Sequence, residues 1–286
     1  MKQGQYTKRK KRTPVWYYAL LMILAGVFLY SAWRLGGYWL ESKRQTKAFA
    51  RLAALVEEAG TATAEDRGDP HPETDLPGAG EGTSSQLPED PAEEDSILPE
   101  YAVLYGMNPD LAGWICIEGT GINYPVMHTP DRKEYYLHRG FDGKYSAWGC
   151  IFAQEECDPE KPSDNITLYG HNMKDGSMFA GLFGYTDREF WEAHPNIRFD
   201  TLTEYREYAV FAVFTTTATK GQGFAYHNFI DALDEADFDA FVDRCRELSF
   251  YDTGILPEYG DKLICLSTCE YSQLNGRLVV AAVRVR

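Results

Sequence analysis

The chain has 286 residues, enough for one sizeable core with appendages, and its 44% hydrophobic and 14% aromatic content excludes a wholly disordered protein. Its formal net charge of -15 is unevenly spread: Lys2, Lys8, Arg9, Lys10, Lys11 and Arg12 crowd the amino terminus while the acids lie downstream. That basic cluster (1–13) runs straight into an apolar segment, and no later stretch interleaves basic residues with aromatics, so nucleic acid is not an expected partner.

Residues 14–33, PVWYYALLMILAGVFLYSAW, carry no charge, and a helix of about twenty such residues spans the hydrocarbon core of a bilayer. Aromatics at both ends and the absence of a small-x-small cleavage site favour an uncleaved anchor over a signal peptide. The preceding positive cluster predicts a cytoplasmic amino terminus and a single-pass topology that leaves the rest of the chain outside the cell. Residues 34–59 follow as a juxtamembrane helix, with Ala48, Leu52, Leu55 and Val56 as its apolar stripe, ending at Gly60. Residues 60–95 are rich in Gly, Pro, Ser, Thr and acids, which predicts a disordered acidic linker.

From residue 96 to 286, strand-like runs separated by turn residues dominate, at 114–117, 135–137, 150–153, 166–169, 208–215, 262–266 and 277–285. Helical patterns occupy 177–183 and 234–248, the latter with Phe238, Phe241, Val242 and Cys245 on one side. The predicted fold is mostly β: a closed or nearly closed barrel with peripheral helices.

Cysteine catalysis needs a thiolate, an imidazole to share the proton, and a donor for the charge that develops on the attacked carbonyl oxygen. Cys269 stands at the tip of one strand-like run, and eight positions on, Arg277 opens the last one; so short a connection implies antiparallel neighbours. His171 follows the run 165–169 at a strand end. The other histidines, His71, His128, His138, His194 and His227, have no comparable setting. Of the six cysteines only the 150/157 and 265/269 pairs are close in sequence, and neither has a histidine at finger spacing, so no metal site and no cofactor are expected.

Four ordered segments carry a resemblance. TLYGHNMKDGSMFAGL (167–182) resembles the histidine motif of the class B sortases, and LSTCEYSQLNGRLVVAAV (266–283) resembles their Thr-x-x-Cys region followed by the Arg-containing last strand. NPDLAGWICIEGTGINYPVMH (108–128) and EYYLHRGFDGKYSAWGCIFA (134–153) resemble the segments that open the catalytic barrel. The resemblance implies a sortase-like barrel and a cysteine transpeptidase with Cys269 as nucleophile, His171 as acid and base, and Arg277 as oxyanion clamp. It would cleave a carboxyl-terminal sorting motif of secreted proteins after Thr and pass the acyl group to an amine of a peptidoglycan precursor or a pilin.

By position alone, Asn108, Tyr169, Asn172, Ser267, Thr268, Glu270 and Tyr271 are candidates for the substrate groove, with Glu270 facing away from its neighbour because successive strand residues alternate. Cys265 stands where the family motif has Thr, which raises a disulfide with Cys269 as an expectation. Two alternatives use the same residues or the same anchor: a peptidase of this fold that hydrolyses its acyl enzyme, and a catalytically silent tethered surface-binding protein.

Overall fold

Eight strands close around one apolar core, and β6, β7 and β8 turn their alternate side chains to a second apolar layer outside it, an alternation that decides which residues reach the functional groove. The computed structural model describes residues 15–66, 96–161, 163–219 and 221–285. The predicted basic tail and all of the predicted linker beyond Asp66 lie outside the described residues. The chain divides into two compact units, with the second running Ala48–Arg286.

Helix α1 runs Val15–Asp66. Its side chains from Trp16 to Leu40 are exposed, and the helix is long and apolar enough, by length and composition, to cross a membrane. It passes through Gly60 rather than ending there: one helical glycine costs only about 1 kcal/mol, and Thr61 Oγ1 donates back to the Glu58 carbonyl (2.9 Å). Within the second unit Phe49 and Leu52 of this helix are buried in the main core, with Phe49 edge-on to Tyr124 at 5.2 Å. The predicted stripe included Leu52 and left out Phe49.

A short helix α2 (Pro99–Met107) starts with proline at its first turn, where the missing N–H costs nothing, and buries Tyr101 and Leu104. The strands are β1 (Leu111–Cys116), β2 (Asn123–Met127), β3 (Ile151–Ala153), β4 (Asn165–Tyr169), β5 (Asn196–Thr201), β6 (Glu207–Thr217), β7 (Leu263–Glu270) and β8 (Gly276–Arg284). They form a closed barrel in the order β1-β2-β3-β4-β7-β8-β6-β5, with β1 pairing β5 to close it. Closure needs a close approach at Gly113: a Cβ there would stand 2.1 Å from the Asp200 carbonyl oxygen. Helix α3 (Arg188–Ala193) precedes β5, and α4 (Glu235–Leu248) lies between β6 and β7. Asp234 caps α4 by accepting from the Asp237 N–H (3.0 Å), and Phe238, Phe241, Val242 and Cys245 form its buried stripe.

Two predicted elements differ. Residues Tyr135–His138 form a 3₁₀ turn, not a strand: Glu134 takes a left-handed φ of 51° and its carbonyl accepts from the Leu137 N–H (3.0 Å). The pattern at 177–183 becomes a 3₁₀ segment, Phe179–Thr186.

The barrel has an inner and an outer layer. Ile166, Leu168, Ile264, Leu266, Leu278, Val280 and Ala282 join the inner core with Trp114 and Phe199. Their alternates Leu263, Cys265, Val279, Ala281 and Val283 join Phe238, Phe241 and Cys245 of α4 in an outer core.

Candidate active site

Parity along three adjacent strands assembles the site. On β7, Cys269 shares the outward parity of Leu263, Cys265 and Ser267; on β8, Arg277 shares that of Val279 and Ala281. The antiparallel register pairs Cys269 directly with Arg277. On the other side of β7, β4 runs parallel with Tyr169 opposite Ser267, and Gly170 N–H continues the ladder to the Ser267 carbonyl (3.1 Å). β4 ends at Tyr169, and two residues on, in the loop that follows, His171 lines the same groove as Cys269. Cys269 therefore stands on the middle strand, between the strand that leads into His171 and the strand that carries Arg277. All three line one groove of about 530 Å³ beyond the edge of α4.

The imidazole is oriented by backbone. His171 Nε2 lies 2.7 Å from the Leu137 carbonyl, which can only accept, so Nε2 carries the proton and Nδ1 is left as an acceptor. Its ring stacks on His138 at 5.4 Å with planes 22° apart. Burial holds the His171 pKa below its ordinary value; the Leu137 hydrogen bond opposes this and the neighbouring His138 adds to it. Arg277 Nη1 donates to the Gly276 carbonyl (3.0 Å), at the mouth of the β7–β8 connection.

The other candidates fall into different places. Tyr169, Ser267 and Thr268 line the groove. Tyr169 OH donates to Gln154 Oε1 (2.9 Å), Ser267 Oγ shares a hydrogen bond with Tyr226 OH (2.6 Å), and Thr268 Oγ1 donates to the Gly170 carbonyl (2.7 Å). Asn172 Nδ2 donates to the Cys269 carbonyl (3.1 Å), which ties the histidine loop to β7. Glu270 has the parity opposite to Cys269, and its carboxylate accepts from Ser272 N–H and Oγ (2.6 and 2.7 Å). Tyr271 is largely exposed beside the connection. Asn108 is not among the groove-lining residues; its amide donates to Tyr136 OH and the Phe141 carbonyl (2.8 and 2.7 Å).

Two histidines that the sequence left without a setting do have one. His138 stacks on His171, and His227 lines the groove, where burial and then the charges of Lys133 and Arg277 lower its pKa. Tyr226, whose phenol burial pushes up to about 12, and Gln154 also belong to the wall. No local pattern announces these residues; they reach the site from the turn before β3, the end of β3 and the loop after β6.

The expected disulfide is overturned. Cys265 and Cys269 lie four positions apart on one strand, a separation of roughly 13 Å at strand rise, against a Cα limit of about 7 Å for a disulfide. Cys265 is fully buried, and all six cysteines are free thiols. Only Cys116 and Cys269 among them are partly accessible. Among the described residues no cluster of three or more His, Cys, Asp or Glu side chains could hold a metal ion.

The sortase-domain family model matches residues 115–285. Sortase B of Listeria monocytogenes is 30% identical over 266 residues, covering 92% of this chain and 94% of the relative. Sortase B of Staphylococcus aureus is 31% identical over 193 residues, 66% of this chain and 76% of its own. The solved sortase B of Bacillus anthracis in complex with AAEK1 superposes with a TM-score of 0.66 at 29% identity, over 87% of this chain and 99% of that one. Likeness of this extent, over the barrel that carries the thiol, means that the chain belongs to the sortase family, in class B, and is a sortase-type cysteine transpeptidase.

Proposed function

We propose that this chain is a membrane-anchored transpeptidase in which Cys269, His171 and Arg277 carry out a two-step acyl transfer on sorting-signal proteins. The observation that supports this reading most directly is the register: the one accessible thiol on β7, with His171 following the neighbouring β4 and a guanidinium opposite on β8.

The chemistry follows from those three groups. With its pKa held down by burial, the His171 ring is neutral near pH 7 and its free Nδ1 accepts the proton of the Cys269 thiol as the sulfur attacks the substrate carbonyl. Arg277, permanently charged and planar, stabilises the oxygen that becomes negative. Collapse breaks the peptide bond, and the imidazolium returns its proton to the departing amine, leaving a thioester on Cys269. An incoming amine attacks that thioester, gives a proton to His171, and leaves as a new amide while the thiol is restored.

In this reading the donor is a secreted protein cleaved after Thr in a carboxyl-terminal sorting motif, and the acceptor is an amine of a peptidoglycan precursor or a pilin. The exposed apolar portion of α1 anchors the enzyme, with the basic amino terminus in the cytoplasm and the barrel outside. Incubating the protein with a library of sorting-type pentapeptides and excess amine should give ligated product, and none with Cys269→Ala. Free acid as the only product in the presence of amine would instead support hydrolysis, and no turnover of any peptide would support the silent surface protein.

A further inference from the structure

The turn that supplies the Leu137 carbonyl is held by a cluster that takes no part in bond making or breaking. Tyr136, adjacent to Leu137, has its ring buried and its hydroxyl in a chain of bonds. It donates to Asp110 Oδ2 (2.8 Å) and accepts from Asn108 Nδ2 (2.8 Å). Asn108 Oδ1 accepts from the Asp110 N–H (3.0 Å), and its amide also donates to the Phe141 carbonyl (2.7 Å), beyond the turn. Arg132 Nη2 donates to both Asp110 oxygens (2.8 and 2.7 Å), while its guanidinium lies 4.1 Å over the Tyr135 ring. The segment before β1 thus grips the 3₁₀ turn on either side of Leu137, and every polar atom named in the cluster is satisfied within it.

The consequence lies in the tautomer. A neutral imidazole can take the thiol proton only at a nitrogen that lacks one, and either nitrogen can hold the proton. A fixed carbonyl against Nε2 removes the choice; a carbonyl that drifts allows the ring to flip or to change tautomer. We propose that Asn108, Asp110, Arg132 and Tyr136 are positioning residues for acyl transfer, which hold the Leu137 carbonyl against the Nε2–H of His171 and so keep Nδ1 free for the Cys269 proton. The proposal rests on the reading of His171 as the proton carrier.

The test uses the full chain in detergent with ¹⁵N-labelled histidine. Loss of one hydrogen bond from such a network, about 1 kcal/mol, corresponds to roughly five- to tenfold in rate. Tyr136→Phe, which keeps the buried ring, should lower kcat for peptide–amine ligation by about that factor while KM for the peptide changes little. The His171 nitrogen signals should move from one tautomer to a mixture. Arg132→Met should behave alike, and Arg132→Lys, which retains a charged donor to Asp110, should recover most of the rate.

Activity retained in His171→Ala would remove the underlying reading and the proposal with it. With His171→Ala inactive, two results overturn the proposal alone. One is a wild-type kcat and an unchanged single tautomer in Tyr136→Phe and Arg132→Met. The other is a fall in kcat that merely tracks the unfolded fraction while the tautomer stays fixed.

Discussion

Gly170→Ala tests how tightly the histidine loop is packed onto the barrel. A Cβ at this position would stand 2.5 Å from Ile151 Cδ1 and 2.6 and 2.7 Å from Phe179 Cδ2 and Cγ, about 1 Å inside the usual carbon–carbon contact. Neither neighbour has room to retreat, since both are fully buried. The glycine cannot slide away, because its N–H donates to the Ser267 carbonyl (3.1 Å) and its own carbonyl accepts from Thr268 Oγ1 (2.7 Å). Overpacking of this kind costs about 1–3 kcal/mol, a fall of roughly 2–12 °C in Tm for a domain of this size. Phe179 N–H also donates to the His171 carbonyl (2.9 Å), so a displaced Phe179 moves the histidine with it, and a shift on the order of 1 Å at a reacting group can cost about 100-fold in rate. Thermal unfolding and single-turnover acylation of the variant should therefore fall together, with peptide KM little changed. A variant that loses stability but acylates at the wild-type rate would refute the linkage, and one unchanged in both would refute the packing.

Thr268→Val removes the hydroxyl that satisfies the Gly170 carbonyl and should cost about 1–3 kcal/mol in denaturant unfolding, against no change if the bond is dispensable. Because burial lowers the His171 pKa, its ring should titrate below 6.5 by ¹⁵N NMR; the unfolded chain then binds more protons between that midpoint and 6.5, so stability falls as pH drops through this window, a slope absent in His171→Gln. His138→Gln removes the stacked neighbour that adds to burial in lowering the His171 pKa, so the His171 midpoint should rise; a fall would contradict the stacked arrangement. Phe49→Ala should destabilise the barrel toward the lower end of the ~3–5 kcal/mol range for a buried phenylalanine, and a fragment beginning at Ser96 should show a comparable loss relative to one beginning at Ala48.

How much of this was legible in the sequence follows from the range of the interactions. The runs that became β7 and β8 are rich in apolar residues because both faces are buried, one inside the barrel and one under α4, and such runs stand out. Strand β2 was hidden by Pro125, a residue that argues against a strand unless its neighbours tolerate the missing N–H, yet here it sits opposite Trp114. Strand β5 is short and largely polar on one side, with Ile197 and Phe199 as its buried signal. The aromatic run at Tyr135 and Tyr136 looked extended, but Tyr136 is fixed by Asp110 and Asn108 from more than twenty positions away, a constraint no local window contains. The strand that ends in Cys269 and Glu270, and its antiparallel pairing with the strand that carries Arg277, could be read from the chain. The parallel register that carries His171 to the same place could not, because it depends on the long connection from β4 to β7.

Mapping of a covalent acyl adduct bears most directly on the account. When a sorting-type peptide ester is added to the full chain and the trapped protein is digested, all of the acyl mass should lie on Cys269, with its rate of formation severely reduced in His171→Ala and Arg277→Ala. Cys116, the other accessible thiol, supplies an internal control. Acyl mass on Cys116, or labelling of Cys269 that is indifferent to both substitutions, would contradict the convergence of thiol, imidazole and guanidinium.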